Sequence, residues 1–386
     1  MININLEKFS ERGSKRLKDL ESKNEIVFEI DIFRDCLDEL FDIDNPKLKP
    51  ENPEYKIEKN KFIDHWTKKG DFSKQGNWIY YPWSKTLIHF PDEDIYIKLR
   101  TSRNRNLITT DEQNKFQSNV VGIAGMSVGS NILNTLVLIG GPRHFKIADY
   151  DTISVPNLNR IMATASAVGV NKAVYFARKA LEVDPYLKID IYDKGLNISD
   201  FKNFFENPKL DLYIEEMDNP YLKIKSREYA KKLKIPVIMA ADNGDGALID
   251  VERFDLQPYR PIFHGNLDKV IDLENIKEEL TFKEKLTLIA NIVQLHQATT
   301  KAQMSLGDVG KTLNTWPQLG TAALTCGVTL SYVARKILLG ENMKSGRYQF
   351  SLDAGLENEY HHVKNKIKRK LITAVVMKKF KELQKK

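Results

Sequence analysis

The chain has 386 residues, 42% hydrophobic and 29% charged, with 59 Lys and Arg against 52 Asp and Glu and a net charge of +7. This length holds one large core with an accessory region, and this mix is that of a globular chain in water. No apolar run is long enough for a membrane helix, and the opening MININLEKFSERGSKR lacks the apolar centre of a secretory signal. Cys36 and Cys326 are too few for a disulfide framework or a Cys-based zinc site, so no zinc is expected. The default is a cytoplasmic protein with no membrane role. Lysine is spread throughout, with much of the excess after Val363. Charge alone therefore points to solvated faces ahead of nucleic acid.

Residues 1–100 read as a separate accessory domain. Glu25 to Leu40 has the apolar spacing of a strand or helix pair, with Cys36 as a packed small side chain. Pro46 to Pro53 reads as a linker. The aromatic run Trp66, Trp78, Tyr80, Tyr81, Trp83 with His89 reads as the core of that domain ahead of a cradle for a base or peptide. In Thr101 to Phe116, Arg103 and Arg105 form, taken alone, a solvated basic turn.

The segment from Asn119 to Lys172 organises the rest. Val120 to Ala124 is a buried strand, and Gly125-Met126-Ser127-Val128-Gly129-Ser130 a small-residue turn. Ile132, Leu133, Leu136 and Val137 then recur at helical spacing until Gly140-Gly141-Pro142. His144 to Ala148 is a second strand ending in Asp149. Strand, tight turn, helix, strand, acid is the layout of a nucleotide-binding βαβ unit. Gly125, Ser127 and Gly129 let backbone approach a phosphate at a helix N-terminus, and Asp149 is placed to take ribose hydroxyls. Asp151, Asn157, Arg160 and Lys172 follow. A dehydrogenase has no need for an amide and two cations in that loop, whereas an enzyme of nucleoside triphosphates does.

The series Asp149-x-Asp151, Asn157-Leu158-x-Arg160 and Gly169-x-x-Lys172 resembles the ThiF/MoeB/ubiquitin-activating-enzyme-like adenylyltransferases. Its Gly-Met-Ser-Val-Gly turn is similar to a divergent bacterial branch. The resemblance implies an α/β, Rossmann-like, mostly parallel sheet flanked by helices. It implies that Arg103 or Arg105 reaches the triphosphate, in a homodimer from the other subunit, and that Asp218, in Met217-Asp218-Asn219, holds Mg²⁺. Asn157, Arg160 and Lys172 surround the transferring phosphorus of ATP, while Asp149 and Asp151 serve the nucleoside side.

Downstream, Lys188–Tyr192, Leu210–Glu215 and Ile235–Ala240 read as strands. His264 reads as structural ahead of a site residue, and 271–313 as a helical insertion forming a lid or dimer surface. Gln318 to Leu338 begins and completes a last core helix with Cys326 buried in it, and Arg347–Asp353 is a final strand. Ile367, Leu371, Val375, Val376, Phe380 and Leu383 among lysines make 361–386 a basic amphipathic helix, for which packing on the body or a partner ranks ahead of membrane binding. The adenylyltransferase domain spans 101–360.

Relatives with a thioester step carry a cysteine in a region where this chain, between Lys172 and Gly320, has none. The expected reaction is therefore adenylation of a carboxylate with release of pyrophosphate and no thioester. The implied partner is the C-terminus of a ubiquitin-like or sulfur-carrier protein or of a peptide. Two alternatives stand beside it: dehydration of a threonylcarbamoylated tRNA nucleoside, and a nucleotide-binding scaffold without turnover.

Overall fold

The computed structural model describes residues 4, 6–268, 270–273, 275–305 and 307–385, with backbone alone at 282, 283, 381 and 383–385. The first residues of the N-terminal segment, positions 269, 274 and 306 and Lys386 lie outside the described residues, as does the side chain of Leu383. The chain divides into two compact units: residues 3–113 with 181–186, and 114–180 with 187–386.

The N-terminal unit runs β1 (Glu7–Phe9), α1 (Lys15–Ser22), β2 (Phe28–Asp31), α2 (Phe33–Asp44), α3 (Pro53–Thr67), β3 (Asn77–Tyr81), β4 (Thr86–Phe90) and α4 (Glu93–Arg100). Its sheet has the order β1-β3-β4-β2. The aromatic run forms its core as expected. Trp78, Tyr80 and Tyr81 are buried, and the His89 ring lies flat between Trp78 and Phe33 at 4.2 and 4.7 Å. This unit extends past the expected boundary at 100 because residues 181–186 belong to it. Arg100 pairs with buried Asp184 at 2.8 Å, and Tyr96 donates to the Val183 carbonyl at 2.9 Å.

The second unit follows α5 (Thr110–Gln117) with β5 (Val120–Ala124), α6 (Val128–Leu138), β6 (His144–Ala148), α7 (Lys172–Val183), β7 (Lys188–Tyr192), α8 (Phe201–Glu206), β8 (Leu212–Glu215), α9 (Pro220–Lys232), β9 (Val237–Asn243) and β10 (Gly246–Glu252). It ends with α10 (Phe282–Ile292), α11 (Thr300–Ser305), α12 (Gly320–Leu338), β11 (Gly346–Phe350), α13 (Leu352–Leu356) and α14 (Val363–Lys385). The sheet order is β11-β10-β9-β8-β5-β6-β7. The pairs β9–β8, β8–β5, β5–β6 and β6–β7 are parallel, while β10 and β11 add antiparallel to the β9 edge. This is the mostly parallel, Rossmann-like sheet of the sequence reading. Strand order reverses after β6 and β7, where the chain returns to β8 on the far side of β5, and this is where such folds place ligands.

Local sequence explains the packing. Gly122 sits mid-β5 because a Cβ there would lie 2.8 Å from the Phe204 ring of α8. Lys146 is buried on β6, yet its ammonium donates to the carbonyls of Asn203, Phe204 and Pro208 at 2.8–2.9 Å, capping the end of α8. Burial pushes its pKa down to about 8. The 271–313 insertion differs from a free-standing lid. Ile276, Leu288 and Ile292 are buried in the main core with Phe254 and Phe263, and Thr299 N–H donates to Asn243 at the end of β9. Apolar burial of this kind contributes about 2 kcal/mol per side chain.

Candidate active site

The carboxyl ends of β9, β8, β5 and β6 lie side by side and carry the site. Gly125, at φ +92°, closes the turn after β5; a Cβ there would meet the Glu216 carbonyl at 2.3 Å. Only glycine permits that approach, so the β5–α6 turn rests on the loop that bears Asp218. Gly129 is tight against Ile123 for the same steric reason. Ser127 caps α6, and its carbonyl accepts from Ser130.

Asp149, buried at the end of β6, accepts from Met126 N–H at 2.6 Å and from Asp151 N–H at 2.8 Å. Burial pushes its pKa up, against the pull of Lys172 and these two N–H groups. The buried Lys172 ammonium lies 2.8 Å from Asp151, whose own side chain is 47% exposed. Asn171 ties the loop by donating to the carbonyls of Asp149 and Asp193, both at 2.9 Å.

The Asn157–Arg160 segment is fixed by its neighbours. Asn157 is buried and accepts from Ser154 N–H, so it shapes its own turn. Asn159 donates to Gln318 just before α12, and the Arg160 carbonyl accepts from Asn131 of α6. The Arg160 guanidinium donates to Pro156 and Asn159, leaving its buried Nε without a partner.

Asp218 is exposed after β8. Its charge acts on Tyr150 together with those of Asp151 and Asp149, after partial burial, to raise the phenol pKa. It also acts on Asp242 at the end of β9, a carboxyl raised first by burial and opposed by Cys326, Gln318 and Arg160. Tyr150 thus feels Asp149, Asp151 and Asp218, and Asp242 feels Arg160 and Asp218. Arg103 and Arg105 lie exposed on the N-terminal unit, in and after the short helical turn Ser102–Asn104.

Sequence reasoning missed Asp242, which Gln318 reaches at 2.8 Å and the Cys326 thiol at 3.5 Å. Cys326 itself is buried, and burial followed by Asp242 pushes its pKa well up, as an inert thiol requires. An acid two residues before a Gly reads as turn chemistry, so only the fold places Asp242 at a strand end beside Gln318 and Cys326. The unpartnered Arg160 Nε, Lys172 and the glycine turn fit an anionic nucleotide, and exposed Asp218 fits a hard cation.

His264 stands elsewhere. It lies 3.1 Å from buried Asp250 and accepts from Arg260, in a network with Arg227, Glu215, Glu252 and Arg347. Phe263 and His264 both adopt left-handed backbone, which puts the Phe263 ring 4.0 Å from the Arg227 guanidinium. Donor atoms of Asp250, Glu252 and His264 lie within 4.8 Å of one another, but Arg227 already bridges the two carboxylates.

The fold and its strand ends define a Rossmann-like α/β protein with a glycine turn, an acid after the second strand and cations in the following loop. The chain belongs to the ThiF family, which it matches over residues 101–371. It is 36% identical over 280 residues to "Uncharacterized protein MT1398" of Mycobacterium tuberculosis (strain CDC 1551 / Oshkosh), covering 72% of this chain and 38% of that one. It is 28% identical over 153 residues to tRNA threonylcarbamoyladenosine dehydratase 2 of Saccharomyces cerevisiae, covering 39% of this chain and 34% of that one. The chain thus spans little more than a third of these curated relatives. A crystal structure of E. coli tRNA N6-threonylcarbamoyladenosine dehydratase is similar with a TM-score of 0.45 and 17% identity, over 63% of this chain and 95% of that one.

Proposed function

We propose that this chain is an ATP-dependent adenylyltransferase that activates a carboxylate. A carboxylate oxygen attacks the α-phosphorus, the bond from that phosphorus to the bridging oxygen breaks, and its electron pair leaves with pyrophosphate. The product is an acyl-adenylate. This chemistry asks for no nucleophile from the protein; it asks for positioning and for charge placed where charge builds up. The observation that carries the reading is the glycine turn after β5 seated against the Glu216 carbonyl, with buried Asp149 accepting from Met126 N–H and Lys172 2.8 Å from Asp151.

In this reading Asp149 holds the ribose while fixing the turn through Met126 N–H. Lys172 and Arg160 neutralise the phosphates, and Arg160 Nε gains its missing partner. A Mg²⁺ ion at Asp218 would supply further charge neutralisation on the phosphates. Arg103 and Arg105 are further phosphate candidates by resemblance alone. The carboxylate belongs to the C-terminus of a ubiquitin-like or sulfur-carrier protein or of a peptide. A second reading, activation of a threonylcarbamoyl carboxylate on tRNA, is favoured by the likeness to the yeast dehydratase.

ATP–pyrophosphate exchange against a panel of carboxylates tests both, with Lys172→Ala and Asp218→Ala as controls. Exchange driven by peptides supports the first reading, and exchange driven by modified tRNA the second. Exchange that survives both substitutions rejects the site.

A further inference from the structure

The segment from Val363 to the end holds ten of the 59 Lys and Arg and a single acid, Glu382, of the 52 Asp and Glu. With a net charge of +7 for the whole, the rest of the chain is slightly acidic. The positive excess is therefore a property of α14. The helix is not amphipathic in the simple one-sided sense expected from its sequence, because it is apolar on two faces. One face packs on the body through buried Phe380 and contacts α11. There the half-buried Arg369 lies 3.9 Å from the Tyr360 ring. The other face carries Val363, Ile367, Leu371 and Val375, four residues apart and 71, 53, 63 and 56% exposed. Lys364, Lys368, Lys370 and Lys378 are exposed around that ridge, and among the described residues no ion pair engages them.

We propose that this outer face of α14 docks on an anionic lipid bilayer. Two properties must be matched at once, an aliphatic ridge and a ring of unneutralised lysines. A membrane surface with acidic headgroups supplies apolar depth for the ridge and negative charge for the lysines. Nucleic acid matches the lysines and leaves the ridge in water. A second copy of the helix matches the ridge and sets two strongly positive segments against each other. The assignment is independent of the adenylation reading and concerns where the protein works.

The test is co-sedimentation of the full chain with vesicles of phosphatidylcholine containing about a third phosphatidylglycerol, beside pure phosphatidylcholine vesicles and bulk tRNA. The expected result is retention on the anionic vesicles alone, weakened by salt. Lys364→Glu with Lys368→Glu weakens retention by about tenfold or more, through charge near the surface. Ile367→Ser with Leu371→Ser weakens it at every salt concentration. Both pairs are exposed, and an unchanged unfolding midpoint shows that the fold persists. Absence of retention on anionic vesicles overturns the proposal, as does binding to tRNA alone or retention that neither pair of substitutions reduces.

Discussion

Two groups of charges in the second unit use the same residue types and end in opposite states. In the interior, Arg227 is fully buried and faces Glu215, Asp250 and Glu252, with Phe263 beside its guanidinium plane. Burial pushes Asp250 up, but His264, Arg227 and Arg347 outweigh it and hold that carboxyl below the usual range. At the strand ends, Lys172 has one half-exposed acid and Arg160 has an unpartnered Nε. The interior group has spent its charge on itself. The strand-end group keeps a buried Arg160 Nε without a partner and an exposed Asp218.

This contrast can be broken by substitution. Arg227→Met takes from buried Glu252 its ion-pair partner, while Glu215 keeps Lys223 and Asp250 keeps Arg347, and is expected to cost about 3–5 kcal/mol in urea unfolding. Arg227→Lys does not restore it, because one ammonium cannot fork to several carboxylates. Lys172→Ala is expected to do the reverse. ATP–pyrophosphate exchange falls by about 100- to 1000-fold, with a smaller loss of stability than in Arg227→Met because the partner Asp151 is half-exposed. A Lys172 variant that unfolds as readily as the Arg227 variant would erase the distinction.

Gly125→Ala probes the seam between the turn and the Asp218 loop. With φ +92° and the Glu216 carbonyl 2.3 Å from the new Cβ, it is expected to lose about 1–3 kcal/mol and to weaken nucleotide binding in calorimetry. The smallest effect concerns Asp242. Burial raises its pKa in the folded chain, so the folded state keeps the proton longer than the unfolded one. Stability is then lost as pH rises from the ordinary carboxylate range through the raised value. Asp242→Asn removes that loss, and its advantage in denaturation midpoints should grow from about pH 4 to pH 7.

The strand-end group was legible because its spacing is local. Gly125, Asp149, Asp151, Asn157, Arg160 and Lys172 fall within one βαβ unit, where phosphate chemistry restricts which residues follow which. The interior group was not legible. Asp250 and Glu252 alternate within Gly246–Glu252, so they share one face of an otherwise apolar strand, and their partner Arg227 comes from α9. No periodicity announces an ion pair across that separation. The insertion misled for a related reason. Leu288 and Ile292 have the spacing of any amphipathic helix, and only their burial in the cluster that holds Phe254 and Phe263 shows that they belong to the core. The division of the chain was blurred by residues 181–186, which leave one unit to pack in the other through Asp184 and Val183.

The contact between Gly125 and Glu216 has a thermodynamic consequence. Two loops that touch through backbone have no slack between them, so whatever settles on one biases the position of the other. Linkage makes such influence mutual: if occupancy of the glycine turn tightens binding at Asp218 by some factor, occupancy at Asp218 must tighten the turn's ligand by the same factor. Cooperativity between the two would then reside in a missing methyl group.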